Sequence, residues 1–159
     1  MAYDLHGSWE NKLGHHSQFR AHKNDPVGEI ASTNHAVNYW IGKGLPAEKL
    51  VYGMPAYGRC FKTNGSKVGD AATGASNAGT YTKEAGFLSY YEICEKIESR
   101  NWEVKYSDTM KAPFAWGDGQ WCGYNNRESL QHRCTTINNR NYAGVMFWDT
   151  SLDDFDNKV

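Results

Sequence analysis

The sequence predicts an α/β fold in which strands and helices alternate, interrupted by a small inserted α+β unit. Two strand–helix stretches and one break between them carry this reading. The first stretch is "TNHAVNYWIGK" at 33–43, with Val37, Trp40 and Ile41 on one helical face, Gly44 as a stop and Pro46 beyond it. It leads into "KLVYGMPAYGR", whose Leu50-Val51-Tyr52 run reads as a buried strand that emerges into a loop at Gly53 and Pro55. In the second stretch, Asn125 and Glu128 stand in the relation of a capping box, and Leu130, Cys134 and Ile137 repeat at helical spacing. "AGVMFWDT" follows as a strand covered on both faces, and the opening "MAYD" supplies the end of an earlier strand.

Between Cys60 and Tyr124 the alternation stops. A Gly/Ser/Thr/Asn-rich segment gives way to "LSYYEICEKIESR", a helix with Tyr90, Cys94 and Ile97 on one face, and then to "WGDGQW", which fits a hairpin. The chain therefore divides into 1–59, an inserted unit over 60–124, and 125–159.

A chain of 159 residues with 40% apolar content is long enough for one modest domain with a real core. The net charge is −1 and its Lys and Arg are scattered, so no nucleic-acid or anionic-membrane partner is expected. No stretch approaches the roughly 20 apolar residues of a membrane span, and residues 1–25 lack the regions of a signal peptide. Six Trp, ten Tyr and 16 Gly suit a loop-rich protein with aromatic surfaces. The four cysteines include no CxxC pair, which argues against a zinc motif and leaves disulfides or buried thiols.

In parallel β/α architectures, ligands bind at the carboxyl ends of the strands. Those ends carry Tyr3 and Asp4, then Tyr57 and Arg59, then Trp148 and Asp149. An aromatic beside a charged group at each end is the chemistry of a carbohydrate cleft, with flat faces for sugar C–H surfaces and polar groups for hydroxyls and amides. The same residues could instead be packed tyrosines and structural ion pairs, Arg59–Asp4 or Arg59–Asp149.

"MAYDLHGSW", "YGMPAYGRCF", "YTKEAGFLSYYEIC" and "GVMFWDTSLDDF" resemble, in order and spacing, the C-terminal half of the catalytic domain of family 18 glycoside hydrolases, the chitinases and chitinase-like proteins. The resemblance implies a partial TIM (β/α)8 barrel, strands six to eight, with the chitinase insertion domain at 60–124. Met1 matches an interior methionine of the family's M-x-Y-D motif, so the start is expected to lie mid-barrel. Three barrel strands alone leave unpaired edges and uncovered apolar faces.

The family is substrate-assisted: the substrate's own N-acetyl carbonyl attacks the anomeric carbon, and the protein supplies one general acid. That acid closes a D-x-x-D-x-D-x-E motif, which this sequence does not contain. The resemblance implies catalytic support from Tyr3, on the acetamido oxygen, and from Asp4. It implies substrate contacts from Met1, Met54, Tyr57, Arg59 and Trp148, with Glu84 and Phe87 reaching over the sugar from the insertion domain. Trp9 is a further cleft-wall aromatic or a wedge beneath its loop. No cofactor or metal is implied, His6, His15 and His16 notwithstanding, and Asp153 and Asp154 are expected to cap the loop after the last strand.

By the same resemblance, Cys94 matches a half-cystine whose partner lies beyond Val159. Cys60 and Cys122 fall on neighbouring strands of the insertion domain and are expected to bridge, leaving Cys134 as a buried thiol. Asn64-Gly65-Ser66 is a glycosylation sequon. The implied parent is an extracellular monomeric chitinase acting on β-1,4-linked N-acetylglucosamine, or a chitinase-like lectin that binds chitin oligosaccharides. The chain by itself is expected to bind and not to hydrolyse.

Overall fold

The computed structural model describes residues 1–100 and 102–154. Phe155, which closes the last family-like motif, and the end of the 125–159 segment lie outside the described residues.

Helix α1 (Thr33–Gly42) starts where the Ser32 side chain accepts the His35 N–H, and it ends before Gly44, whose φ of 97° suits glycine. Strand β1 (Val51–Pro55) follows. Its parallel partner, β8 (Gly144–Trp148), is reached through helix α3 (Arg127–Asn139) and runs in register from Val51 opposite Gly144 to Pro55 opposite Trp148. Val37, Leu50, Tyr52, Met54 and Ile137 form the core under this pair, and Ile41, Leu130 and Cys134 pack against it.

A single residue, Ala56, separates β1 from β2 (Tyr57–Lys62). Strand β2 belongs to a second, antiparallel sheet. One edge of β2 meets β3 (Gly74–Ala75) and β4 (Phe87–Ser89), and the other meets β7 (Gln120–Gly123), which continues through β6 (Ala112–Gly117) to β5 (Glu103–Ser107). Helix α2 (Tyr90–Arg100) follows β4 directly. The β6–β7 turn, Asp118-Gly119, has positive φ at both residues, the backbone of a two-residue hairpin. Leu13, Phe61, Met110, Phe114 and Trp121 fill one core of this sheet; Leu88, Ile93, Trp102 and Tyr124 fill another around the Cys60–Cys122 disulfide. Directly opposed cysteines on β2 and β7 explain that bridge. Cys94 is a buried free thiol, and Cys134 is half-buried rather than fully buried, because it lies at the margin of its core.

Four local expectations are corrected. Residues 1–4 form no strand: Ala2 N–H donates to Gly53 O at 3.2 Å, but Asp4 turns into a left-handed φ of 59°, which ends the extended run. The capping box is Asn126–Ser129 rather than Asn125–Glu128, since α3 begins one residue later and Ser129 reaches back to the Asn126 N–H. Trp40 is 59% exposed, because only the Val37 and Ile41 side of α1 reaches the core. Strand β8 is not covered on both faces: Val145 and Phe147, two residues apart and so on one face, are exposed, and among the described residues neither packs into the core under the strand pair.

Candidate functional site

At the carboxyl ends of β1 and β8 the two sheets meet. Ala56 N–H donates to Trp148 O at 2.8 Å, which sets the start of β2 against the end of β8. Tyr57 and Arg59 are two residues apart on β2, so both project to one face. Beside them lies a cleft of about 470 Å³ lined by Met1, Tyr3, Asp4, Tyr57, Arg59, Glu84, Phe87, Trp148, Asp149 and Leu152.

Asp4 is the hub of this cleft. Tyr57 Oη donates to Asp4 Oδ1 at 2.7 Å, Arg59 Nε donates to the same oxygen at 2.9 Å, and Arg59 Nη2 donates to Oδ2 at 2.9 Å. Partial burial works against charge on Asp4, but the hydrogen bonds from Arg59 and Tyr57 and the Arg59 charge outweigh that and hold the carboxyl far below the usual carboxylate range. Burial and the adjacent Asp4 charge raise Tyr57 well above an ordinary phenol, and the Asp4 hydrogen bond raises Arg59. Asp4 is therefore ionised, Arg59 charged and Tyr57 protonated. A carboxylate so held binds and orients; it does not supply a proton.

Aromatic rings surround Arg59. Its guanidinium lies 5.3 Å from the Phe87 ring centroid, 5.5 Å from Tyr57 and 5.6 Å from Trp9. Phe87 stacks on Tyr57 at 4.7 Å, a consequence of the β2–β4 register that sets Arg59 opposite Phe87. Glu84 Oε1 approaches Arg59 Nη1 at 3.6 Å. Tyr3 packs edge-on to Tyr57 at 5.9 Å. The Tyr3 hydroxyl makes no hydrogen bond among the described residues, and burial followed by the Asp4 charge raises its pKa, so it remains a donor. Trp148 is 53% exposed at the cleft edge, after which comes a cis peptide to Asp149.

The structure thus brings together eight of the ten singled-out residues: Met1, Tyr3, Asp4, Tyr57, Arg59, Glu84, Phe87 and Trp148. Met54 lies fully buried in the β1 core, because its side of the strand faces Val37 and Ile137. Trp9 stands outside the lining, folded over Gly7, where any Cβ would collide with the indole, and capping Arg59 from the rim. The open question of Arg59's partner resolves to Asp4 and Glu84. Asp149 instead accepts the Ser151 N–H at 2.8 Å, so its side chain caps the turn after β8.

The strand-end residue Asp149 also lines the cleft; sequence reasoning missed Leu152 as a lining residue, and missed what the histidines do. His6 is buried between Glu10 at 2.9 Å and Asp25 at 3.0 Å. His15 Nε2 lies 3.1 Å from Pro113 O and 2.9 Å from Tyr124 O, with Nδ1 accepting from Ser17 N–H. His16 contacts both Asp4 and Tyr57. A hydrophilic triplet "HHS" after a glycine offers no periodicity from which such burial could be read.

A parallel strand pair carries an aromatic, ion-paired slot at its carboxyl ends, which defines an α/β domain with a cleft at the strand ends. Residues 1–153 match the model of the family described as Glycosyl hydrolases family 18, and the chain belongs to that family. It is 36% identical over 162 residues to Probable chitinase 10 of Drosophila melanogaster, covering 99% of this chain and 7% of that protein. It superposes on catalytic domain 2 of the Ostrinia furnacalis Group II chitinase with a TM-score of 0.95 at 35% identity, covering 99% of this chain and 42% of that one. Human YKL-39, described as a pseudo-chitinase with retained chitooligosaccharide binding properties, gives a TM-score of 0.91 at 34% identity over 98% of this chain and 43% of that one. The chain therefore spans less than half of each of these relatives.

Proposed function

We propose that the chain is the substrate-holding half of a chitinase barrel and that its cleft binds β-1,4-linked N-acetylglucosamine oligosaccharides. In this reading β1 and β8 are the seventh and eighth strands of a TIM barrel, and the antiparallel sheet with α2 is the insertion domain over 60–124. The observation that carries it is the Tyr57–Asp4–Arg59 lock set in one cleft with Tyr3 and Trp148.

The geometry supports the roles that the family resemblance implies. Trp148, exposed and flat, floors the sugar; the spare Tyr3 hydroxyl donates to the acetamido oxygen; ionised Asp4 keeps Tyr57 and Arg59 in place. Met1 and Phe87 give apolar walls, and Glu84 reaches in from the insertion side. In a complete chitinase a glutamic acid on another strand would protonate the leaving oxygen while the acetamido group attacks. Loss of such an acid costs on the order of 10² to 10⁴ in rate.

Chitotetraose titrated into the chain by calorimetry should bind, while the same mixture analysed by mass should show no shorter sugars. No heat at saturating sugar would overturn the reading. A lectin parent is the second reading, supported by the likeness to a pseudo-chitinase that keeps its oligosaccharide binding. The residue at the acid position in a full-length protein decides between the two. An extracellular setting is supported by the Cys60–Cys122 disulfide.

A further inference from the structure

His16 lies behind the cleft wall and is fully buried. Its Nε2 stands 3.1 Å from Tyr57 O. A carbonyl only accepts, so the proton is on Nε2, and burial keeps the ring neutral. Nδ1 is then a bare lone pair. It accepts the Asp4 backbone N–H at 3.4 Å and faces Asp4 Oδ1 at 3.6 Å, beyond a hydrogen bond.

The lone pair holds the Asp4 amide, while the Asp4 carboxylate, out of hydrogen-bond reach of Nδ1, is taken up by Tyr57 and Arg59. The amide contact also bears on a strained residue, since Asp4 has a left-handed φ of 59°. Leu5 N–H donates to His16 O at 2.9 Å, and Ser17 Oγ donates to Ala2 O at 2.9 Å, so the strip beneath residues 2–5 grips the backbone on either side. The imidazole also packs on the Tyr57 ring at 5.0 Å.

We propose that His16 is a positioning residue for oligosaccharide binding: as the neutral Nε2–H tautomer it fixes the Asp4 backbone and carboxylate, and through them Tyr57 and Arg59. This rests on the chitooligosaccharide reading of the cleft. The bond to Tyr57 O sets the tautomer, and the tautomer sets Asp4.

Two substitutions separate these functions. H16N presents an oxygen near the place of Nδ1 and keeps an acceptor for the Asp4 amide; H16Q extends a donor towards Tyr57 O and withdraws that acceptor. Three quantities are read on the full chain: the His16 tautomer from ring ¹⁵N shifts, exchange of the Asp4 amide, and chitotetraose affinity, with Tm as a control for folding. The wild type should show a bare Nδ1. H16N should bind within about threefold of wild type, whereas H16Q should bind about tenfold more weakly and exchange its Asp4 amide faster at a similar Tm. A protonated Nδ1 in the wild type overturns the proposal even if neither variant folds. So does an H16Q that matches wild type, or losses in both variants that simply follow Tm. If the wild type binds no chitotetraose, the ligand reading fails, while the tautomer and the Asp4 amide still decide whether His16 holds Asp4.

Discussion

Arg59 grips Asp4 through two parallel hydrogen bonds, Nε to Oδ1 and Nη2 to Oδ2, each 2.9 Å long. The fork is available to arginine alone. Arg59→Lys keeps the charge but loses the second bond and the flat cation between Phe87 and Trp9. Chitotetraose affinity measured by calorimetry should fall about tenfold in this variant.

Trp148 offers its ring to solvent, so its removal separates binding from stability. Trp148→Ala should weaken chitotetraose binding by about 2 kcal/mol. Its unfolding free energy in urea should stay within about 0.5 kcal/mol of wild type.

The buried histidines predict opposite pH slopes. Burial opposes charge on His6, but Asp25 and Glu10 outweigh it and raise its pKa. Its contribution is full below the unfolded value of about 6.5 and is lost as pH rises through the higher folded value. Burial pushes His15 down to about 3 and also lowers His16. Their contributions are full above about 6.5 and are lost as pH falls, for His15 down to about 3. Thermal unfolding across pH should show maximum stability near about pH 6.5, and His6→Gln should remove the fall on the alkaline side.

The Cys60–Cys122 bridge spans 62 residues of sequence. Chain-entropy arguments assign about 4 kcal/mol to closing such a loop. The double variant Cys60→Ala, Cys122→Ala should unfold at a markedly lower Tm by calorimetry.

What was legible in the sequence follows what is local or periodic. Val37 and Ile41, then Leu130, Cys134 and Ile137, announce helices, and "WGDGQW" announces its hairpin, because spacing and turn chemistry are properties of neighbours. Of the cleft, the strand-end pairs Tyr57/Arg59 and Tyr3/Asp4 were visible as candidates, yet which acid Arg59 would choose depends on Asp4 turning left-handed, a fact of tertiary packing. The burial of His6, His15 and His16 was illegible for the same reason: their partners Asp25, Pro113, Tyr124 and Tyr57 lie far along the chain. The exposure of Val145 and Phe147 departs from the apolar run because a continuous hydrophobic strand says how much cover it suits, not how much it receives.

Ala56 donates to Trp148 O and accepts from Tyr90 N–H at 3.1 Å, so the joint between the two sheets is tied at both of its polar groups. The floor and the side of the slot are in this sense one casting. Whatever enters the slot would meet a preset width, and a repacking of α2, away from the cleft lining, would be felt at Trp148 as a change in what fits.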